Sequence, residues 1–189
     1  MLTELDKNTA LVIIDLVQGL SAFPTAHPMS DVIAQSAKLV DAFHQANLPV
    51  VFVNVNPTKM FQSTTRKEQA GRSSGGSLPD NFMDIVPQLD KRETDLLVTK
   101  FTWGAFFETG LHEQLQKLGV TGIVLCGVAT SIGVEGTARQ AAEYDYNLTF
   151  ATDAMSDMHL SAHENSINHI FPRIGELDTT DNIVAYLSK

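Results

Sequence analysis

The chain has 189 residues, 13 Lys and Arg against 22 Asp and Glu, and a single cysteine, Cys126. A formal charge of −9 without a basic run speaks against nucleic-acid binding, which needs clustered Lys and Arg. One cysteine excludes an internal disulfide framework and a thiolate-based zinc site.

In chain order, the first element is Ala10-Leu11-Val12-Ile13-Ile14, a buried strand that ends at Asp15. Before it stand Glu4, Asp6 and Lys7, which do not have the form of a secretory leader. Residues 30–46 place Val32, Ile33, Leu39, Val40 and Phe43 on one helical face, with Ser30 as the expected N-cap. Val50-Val51-Phe52-Val53 predicts a second strand. Residues 54–93 then break the rhythm with Pro57, Gly71, Gly75, Gly76, Pro79 and Pro87, and are read as a long loop or lid.

Leu96-Leu97-Val98 predicts a third strand, followed by Lys100. Leu111, Leu115 and Leu118 recur at helical spacing, and Gly119 supplies the stop. Ile123-Val124-Leu125-Cys126 predicts a fourth strand, and residues 131–144 a helix with Val134, Ala138, Ala141 and Ala142 inward. Leu148-Thr149-Phe150-Ala151 predicts a fifth strand, with weaker helical patterns at 161–170 and 180–187.

Short, continuously apolar strands are what a parallel sheet covered on both faces requires. Their alternation with helices predicts an α/β fold, a three-layer α/β/α sandwich around a mainly parallel, Rossmann-like sheet. Residues 1–189 are read as one domain, and no apolar segment approaches the ~20 residues that span a bilayer. A soluble, cytoplasmic protein without membrane or nucleic-acid partners is expected.

Ligands of open parallel sheets bind beyond the carboxyl ends of the strands. Asp15, Lys100 and the segment Gly127–Gly133 follow three such ends. Asp15 is either a carboxylate tuned for acid–base work by opposing burial and charge, or a cap of the next segment. Lys100 taken alone reads as a snorkelling surface lysine; the two together are more informative. Val128, Ala129 and Thr130 lead into a helix whose N-terminal N–H groups suit an oxyanion or a carboxylate, or simply form a turn capped by Thr130 or Ser131.

These residues resemble the isochorismatase-like hydrolases over nearly the whole length. The match runs through the first-strand Asp15, Val98-Thr99-Lys100 with Ala105-Phe106-Phe107, Gly127-Val128-Ala129-Thr130, and Ala151-Thr152-Asp153-Ala154. In the cysteine branch of that family a thiol opens the helix after Gly-Val-Ala-Thr and joins the aspartate and lysine in a triad. The matching position here is Gly133, and Cys126 lies seven residues earlier, inside a strand, as a buried hydrophobe.

The isochorismatases proper also carry Gly at that position and cleave a vinyl ether, releasing pyruvate, without a thiol. The resemblance therefore implies hydrolysis of a small, carboxylate-bearing molecule, with Asp15 as acid, Lys100 steadying charge and Gly133 leaving room for a ring. A catalytically silent binding or assembly protein of the same fold, or an amide hydrolase with another nucleophile such as Cys126, are the alternatives.

Gln18, Phe23, Trp103 and Phe107 suit a pocket wall, with core the favoured place for Phe107. Arg72 is a candidate contact to an anionic substrate. Where metal-binding nicotinamidases carry an Asp/His cluster, this chain reads Asn54-Val55-Asn56-Pro57, so neither a metal nor a cofactor is expected. His159, His163 and His169 read as ordinary surface histidines. Homo-oligomers, dimers or larger, are expected from the resemblance.

Overall fold

A computed structural model describes residues 1–59 and 78–187. It contains one six-stranded sheet of β1 (Thr9–Ile14), β2 (Val50–Val55), β3 (Leu96–Lys100), β4 (Gly122–Val128), β5 (Asn147–Ser156) and β6 (Glu176–Asp178). Spatial order is β3-β2-β1-β4-β5-β6 with every pairing parallel. The helices are α1 (Met29–Gln45), α2 (Leu111–Lys117), α3 (Glu135–Glu143), α4 (Leu160–Asn165) and α5 (Thr180–Leu187).

Alternation along the central strands divides the core in two. Val12 and Ile14 of β1, Val51 and Val53 of β2 and Leu125 of β4 pack with Leu111, Leu115, Val134, Ala138 and Ala141. Leu11, Ile13, Phe52, Val124 and Cys126 face the opposite way, onto Val32, Leu39, Val40, Phe43 and Ile183. Both sheet faces are thereby covered, which is why the strands read as apolar without interruption.

Several boundaries differ from the sequence expectation, for local reasons. Helix α1 starts at Met29 behind Pro28, and the Ser30 hydroxyl donates to Asp31 Oδ1 at 3.2 Å instead of capping the helix. Proline has no N–H to satisfy and its φ already suits a helix entrance. The helix expected over 131–144 opens with a wide π-type turn, Thr130–Val134, before regular α3. Strand β5 runs five residues further than its apolar stretch, and β6 was not anticipated because an edge strand of Glu, Leu and Asp carries no apolar run.

In the segment read as a loop, residues 54 and 55 complete β2 and short 3-10 turns occupy Pro57–Lys59 and Pro87–Leu89. The Gly71–Gly76 stretch and Arg72 lie outside the described residues. Among the described residues, no helix is long and apolar enough to cross a membrane.

Pairing of β4 with β5 shifts between Leu125↔Phe150 and Gly127↔Met155, so β5 bulges there. The bulge carries Ser156 and the following Asp157 beneath the turn at Thr130–Val134, where both are hydrogen-bonded to it.

Phe43 joins α1 to the sheet and is fully buried. Its replacement by alanine is expected to lower unfolding free energy by about 3–5 kcal/mol, as read from urea denaturation.

Candidate active site

At the carboxyl end of β1 the chain turns at Asp15, whose φ is +54°. Its N–H donates to the Val53 carbonyl at 2.9 Å, and its own carbonyl accepts the Val17 N–H at 2.9 Å. The tight reversal lifts the carboxylate off the strand line, and a short polar side chain tolerates this left-handed conformation better than a branched one.

Lys100, the last residue of β3, reaches across the end of β2. Its Nζ lies 2.7 Å from Asp15 Oδ2, with the two side chains 2% and 8% exposed. The ammonium also donates to the Thr102 carbonyl at 3.3 Å. The reading of Lys100 alone as a snorkelling surface residue is thus corrected: its charge is buried because a buried partner meets it.

Asp15 Oδ1 is buried and has no hydrogen-bond partner among the described residues. Burial raises the Asp15 pKa from 3.8 to about 6, against the opposing pull of Lys100. A carboxyl held there titrates within reach of neutral pH, and the orphan oxygen is a place for a proton.

The third strand end supplies Gly133. A Cβ built on it would stand 3.3 Å from Asp15 Oδ2, 3.2 Å from the Val128 carbonyl and 2.8 Å from Ile14 Cγ2. Ile14 is fully buried and β-branched, so it has little freedom to retreat. Gly127, φ +108°, lets β4 pass close to the Ile14 backbone, where a Cβ would collide. The next peptide but one, Val128–Ala129, is cis.

Asp15, Lys100, Gly133 and Val128 are therefore brought together. Gln18 is half-buried nearby in sequence, its Oε1 accepting from Asn81 Nδ2 at 2.7 Å. Phe23 and Trp103 are about half exposed at 52% and 48%. Trp103 Cβ lies against Gly136 at the start of α3, where an added Cβ would approach it to 3.2 Å. Ala129 is half-buried, and Thr130 is fully buried with its hydroxyl bonded to β5 and α4.

Two further expectations are corrected. Phe107 is 52% exposed while its neighbour Phe106 enters the core, because the loop after β3 directs only one of the pair inward. His163 is buried and bonded to Thr130, whereas His159 and His169 are exposed.

Cys126 has no exposure and faces Ser36, its Sγ 3.6 Å from the hydroxyl. Burial pushes the thiol up to about 12, so it stays protonated and out of reach as a nucleophile. After β2, Asn54 Nδ2 donates to the Met83 carbonyl at 2.9 Å, and Asn56 Oδ1 accepts from Thr58 N–H at 3.1 Å.

Sequence reasoning did not find Ser156 or Asp157. Asp157 Oδ2 accepts both the N–H and the hydroxyl of Ser131 at 2.8 Å. The polar pair Ser156-Asp157 after the apolar Ala154-Met155 was the available signal; only the bulge of β5 shows where it points.

Gly133→Ala is expected to cost about 1–3 kcal/mol through overpacking against Ile14, as measured by chemical denaturation.

Residues 9–182 match the isochorismatase domain. The chain is 40% identical over 182 residues to the uncharacterized isochorismatase family protein YwoC of Bacillus subtilis, covering 94% of this chain and 93% of that one. It is 37% identical over 179 residues to YecD of Escherichia coli O157:H7, another uncharacterized member, covering 94% and 95%. The structure of an isochorismatase family protein from Burkholderia thailandensis superposes with a TM-score of 0.87 at 36% identity, covering 98% of both chains. With its parallel sheet and its domain match agreeing, this chain belongs to the isochorismatase family and has that family's hydrolase fold.

Proposed function

We propose that the chain is a hydrolase of a small, carboxylate-bearing molecule that works without a covalent cysteine intermediate, Asp15 serving as general acid. Residues 1–189 act as one catalytic unit. The observation that carries this reading is the buried Asp15–Lys100 pair with glycine, and no thiol, against the carboxyl.

Isochorismate is the leading substrate. Among the relatives is a Bacillus subtilis protein named isochorismatase. The proton on Asp15 passes to the terminal vinyl carbon, whose π electrons form the new C–H bond. The adjacent carbon becomes an oxocarbenium centre, and water adds to it, returning a proton to the Asp15 carboxylate. The hemiketal then collapses: its C–O bond to the ether oxygen breaks, the hydroxyl proton passes to that oxygen, and pyruvate and the ring alcohol are released.

Lys100 has two tasks in this scheme. It holds the carboxylate in place after proton donation, and it offsets negative charge from the substrate. Gly133 keeps a side chain away from the carboxyl; the room expected there for a ring is not provided, since Ile14 Cγ2 would stand 2.8 Å from an added Cβ. The backbone of Val128, Ala129 and Thr130 borders the carboxyl, and Gln18, Phe23 and Trp103 are the proposed further contacts.

Incubation of the pure protein with isochorismate is expected to release pyruvate, detected by coupled reduction with lactate dehydrogenase. Absence of release from folded protein overturns the substrate, and absence of turnover on a panel of vinyl ethers and amides points to the binding-protein alternative. Asp15→Asn should lower kcat by about 10²–10⁴-fold, the usual contribution of a positioned acid; full activity in that variant removes Asp15 from the role.

The sign of the pH dependence follows from the raised pKa. The acid form is present below about 6 and is lost as pH rises through that value. At pH 7 about a tenth of the free enzyme carries the proton, so kcat/KM should fall roughly tenfold per pH unit above 7. A bound carboxylate substrate adds negative charge and should move the kcat profile to higher pH than that of kcat/KM. A rate that climbs from pH 6 to pH 8 contradicts an Asp15 acid.

A further inference from the structure

A layer of buried polar groups lies under the turn that carries Gly133, and the scheme above uses none of their side chains. Thr130, Ser156, Asp157 and His163 are 0%, 0%, 2% and 7% exposed. Asp157 Oδ2 accepts the Ser131 N–H and hydroxyl, each at 2.8 Å. Thr130 Oγ1 lies 3.0 Å from the Ser156 carbonyl and 2.8 Å from His163 Nδ1.

Counting protons orders these bonds. A carbonyl only accepts, and a hydroxyl has one proton to donate. Thr130 therefore donates to Ser156, and His163 Nδ1–H donates to Thr130. Burial and the edge-on ring of His27, 4.7 Å away centre to centre, lower the His163 pKa and favour the neutral ring. The same layer holds the approach to α1: Ala26 N–H donates to the Asp157 carbonyl at 2.7 Å, and His27 N–H to Ser156 Oγ at 2.9 Å.

The turn has no side-chain cap of its own at Ala129. Its height above the sheet is set from outside, by Asp157 beyond β5 and His163 on α4. Gly133 belongs to this turn and packs within a Cβ's reach of the Asp15 carboxyl, so a shift of the turn changes what borders that group; misplacement by ~1 Å at a reacting centre can cost ~10²-fold in rate.

We propose that Asp157 and His163 are positioning residues: they hold the 129–134 turn against β5 and so set how closely Gly133 and the neighbouring backbone border the Asp15 carboxyl that reacts. This rests on Asp15 being the reacting acid. Neither residue touches the substrate in this account; both act through Ser131 and Thr130.

Four single variants of the full chain test it. Asp157→Asn keeps an acceptor for Ser131 and His163→Asn keeps an N–H near the place of Nδ1, whereas Asp157→Ala and His163→Leu keep neither. Amide hydrogen exchange is read on peptides over 129–134, with β1 and α1 as internal references. The Ala and Leu variants should exchange roughly tenfold faster at 129–134 alone. Their kcat for pyruvate release should fall about 10- to 100-fold with KM within about threefold. The two Asn variants should recover most of both.

Unchanged exchange at 129–134 overturns the inference. So does acceleration across all peptides, which makes the two residues ordinary supports of the fold, and so does a loosened turn with unchanged kcat. Failure of both Asn variants to restore the rate overturns it as well. Exchange needs no substrate: a wild type that releases no pyruvate defeats the substrate reading, while the exchange pattern still decides whether the pair sets the turn.

Discussion

A carboxylate and an ammonium 2.7 Å apart, both almost out of water, are the constraint around which this fold is arranged. Neither charge could be buried alone, since an unpaired ion in a protein interior costs several kcal/mol. Asp15 and Lys100 come from β1 and β3, which do not touch each other; β2 lies between them. The pair therefore exists only when three strands are in register and end at the same level. Its geometry reports on the whole rim of the sheet.

Compensation is incomplete, and that incompleteness is what the proposed acid role draws on. Lys100 pairs with one carboxylate oxygen and leaves the other without a partner. Burial outweighs the attraction of the ammonium, so the carboxyl sits near 6, well above an ordinary aspartate. A structural ion pair would ordinarily have the opposite outcome, with the charged form favoured. The third strand end adds a glycine whose missing side chain is matched to the body of Ile14. Around this centre the scaffold is stiff: apolar strands covered on both faces, with Cys126 consigned to the core.

Legibility of the fold followed the apolar pattern. Five of the six strands and the α1, α2 and α5 segments could be recognised because continuous hydrophobic runs and 3.6-residue spacing reflect burial directly. The edge strand β6 could not, since Glu176, Leu177 and Asp178 are only half-buried. The wide turn at Thr130–Val134 looked like the first turn of a helix, because its composition is compatible with either geometry. His163 read as a surface residue for a related reason: its neighbours in sequence are polar, and only α4 packing against the turn buries it.

The site divides along the same line. Asp15, Lys100 and Gly133 were identifiable from the chain because each follows an apolar strand, and a parallel sheet gathers such ends on one edge. The amino-acid order by itself determined the strand-and-helix alternation and the family. Tertiary structure alone decided that Lys100 is buried against Asp15, that Oδ1 lacks a partner among the described residues, and that Asp157 and His163 are hydrogen-bonded to the turn. These are contacts between residues 26 to 85 positions apart, created by crossovers and by the bulge in β5, and no local pattern encodes them.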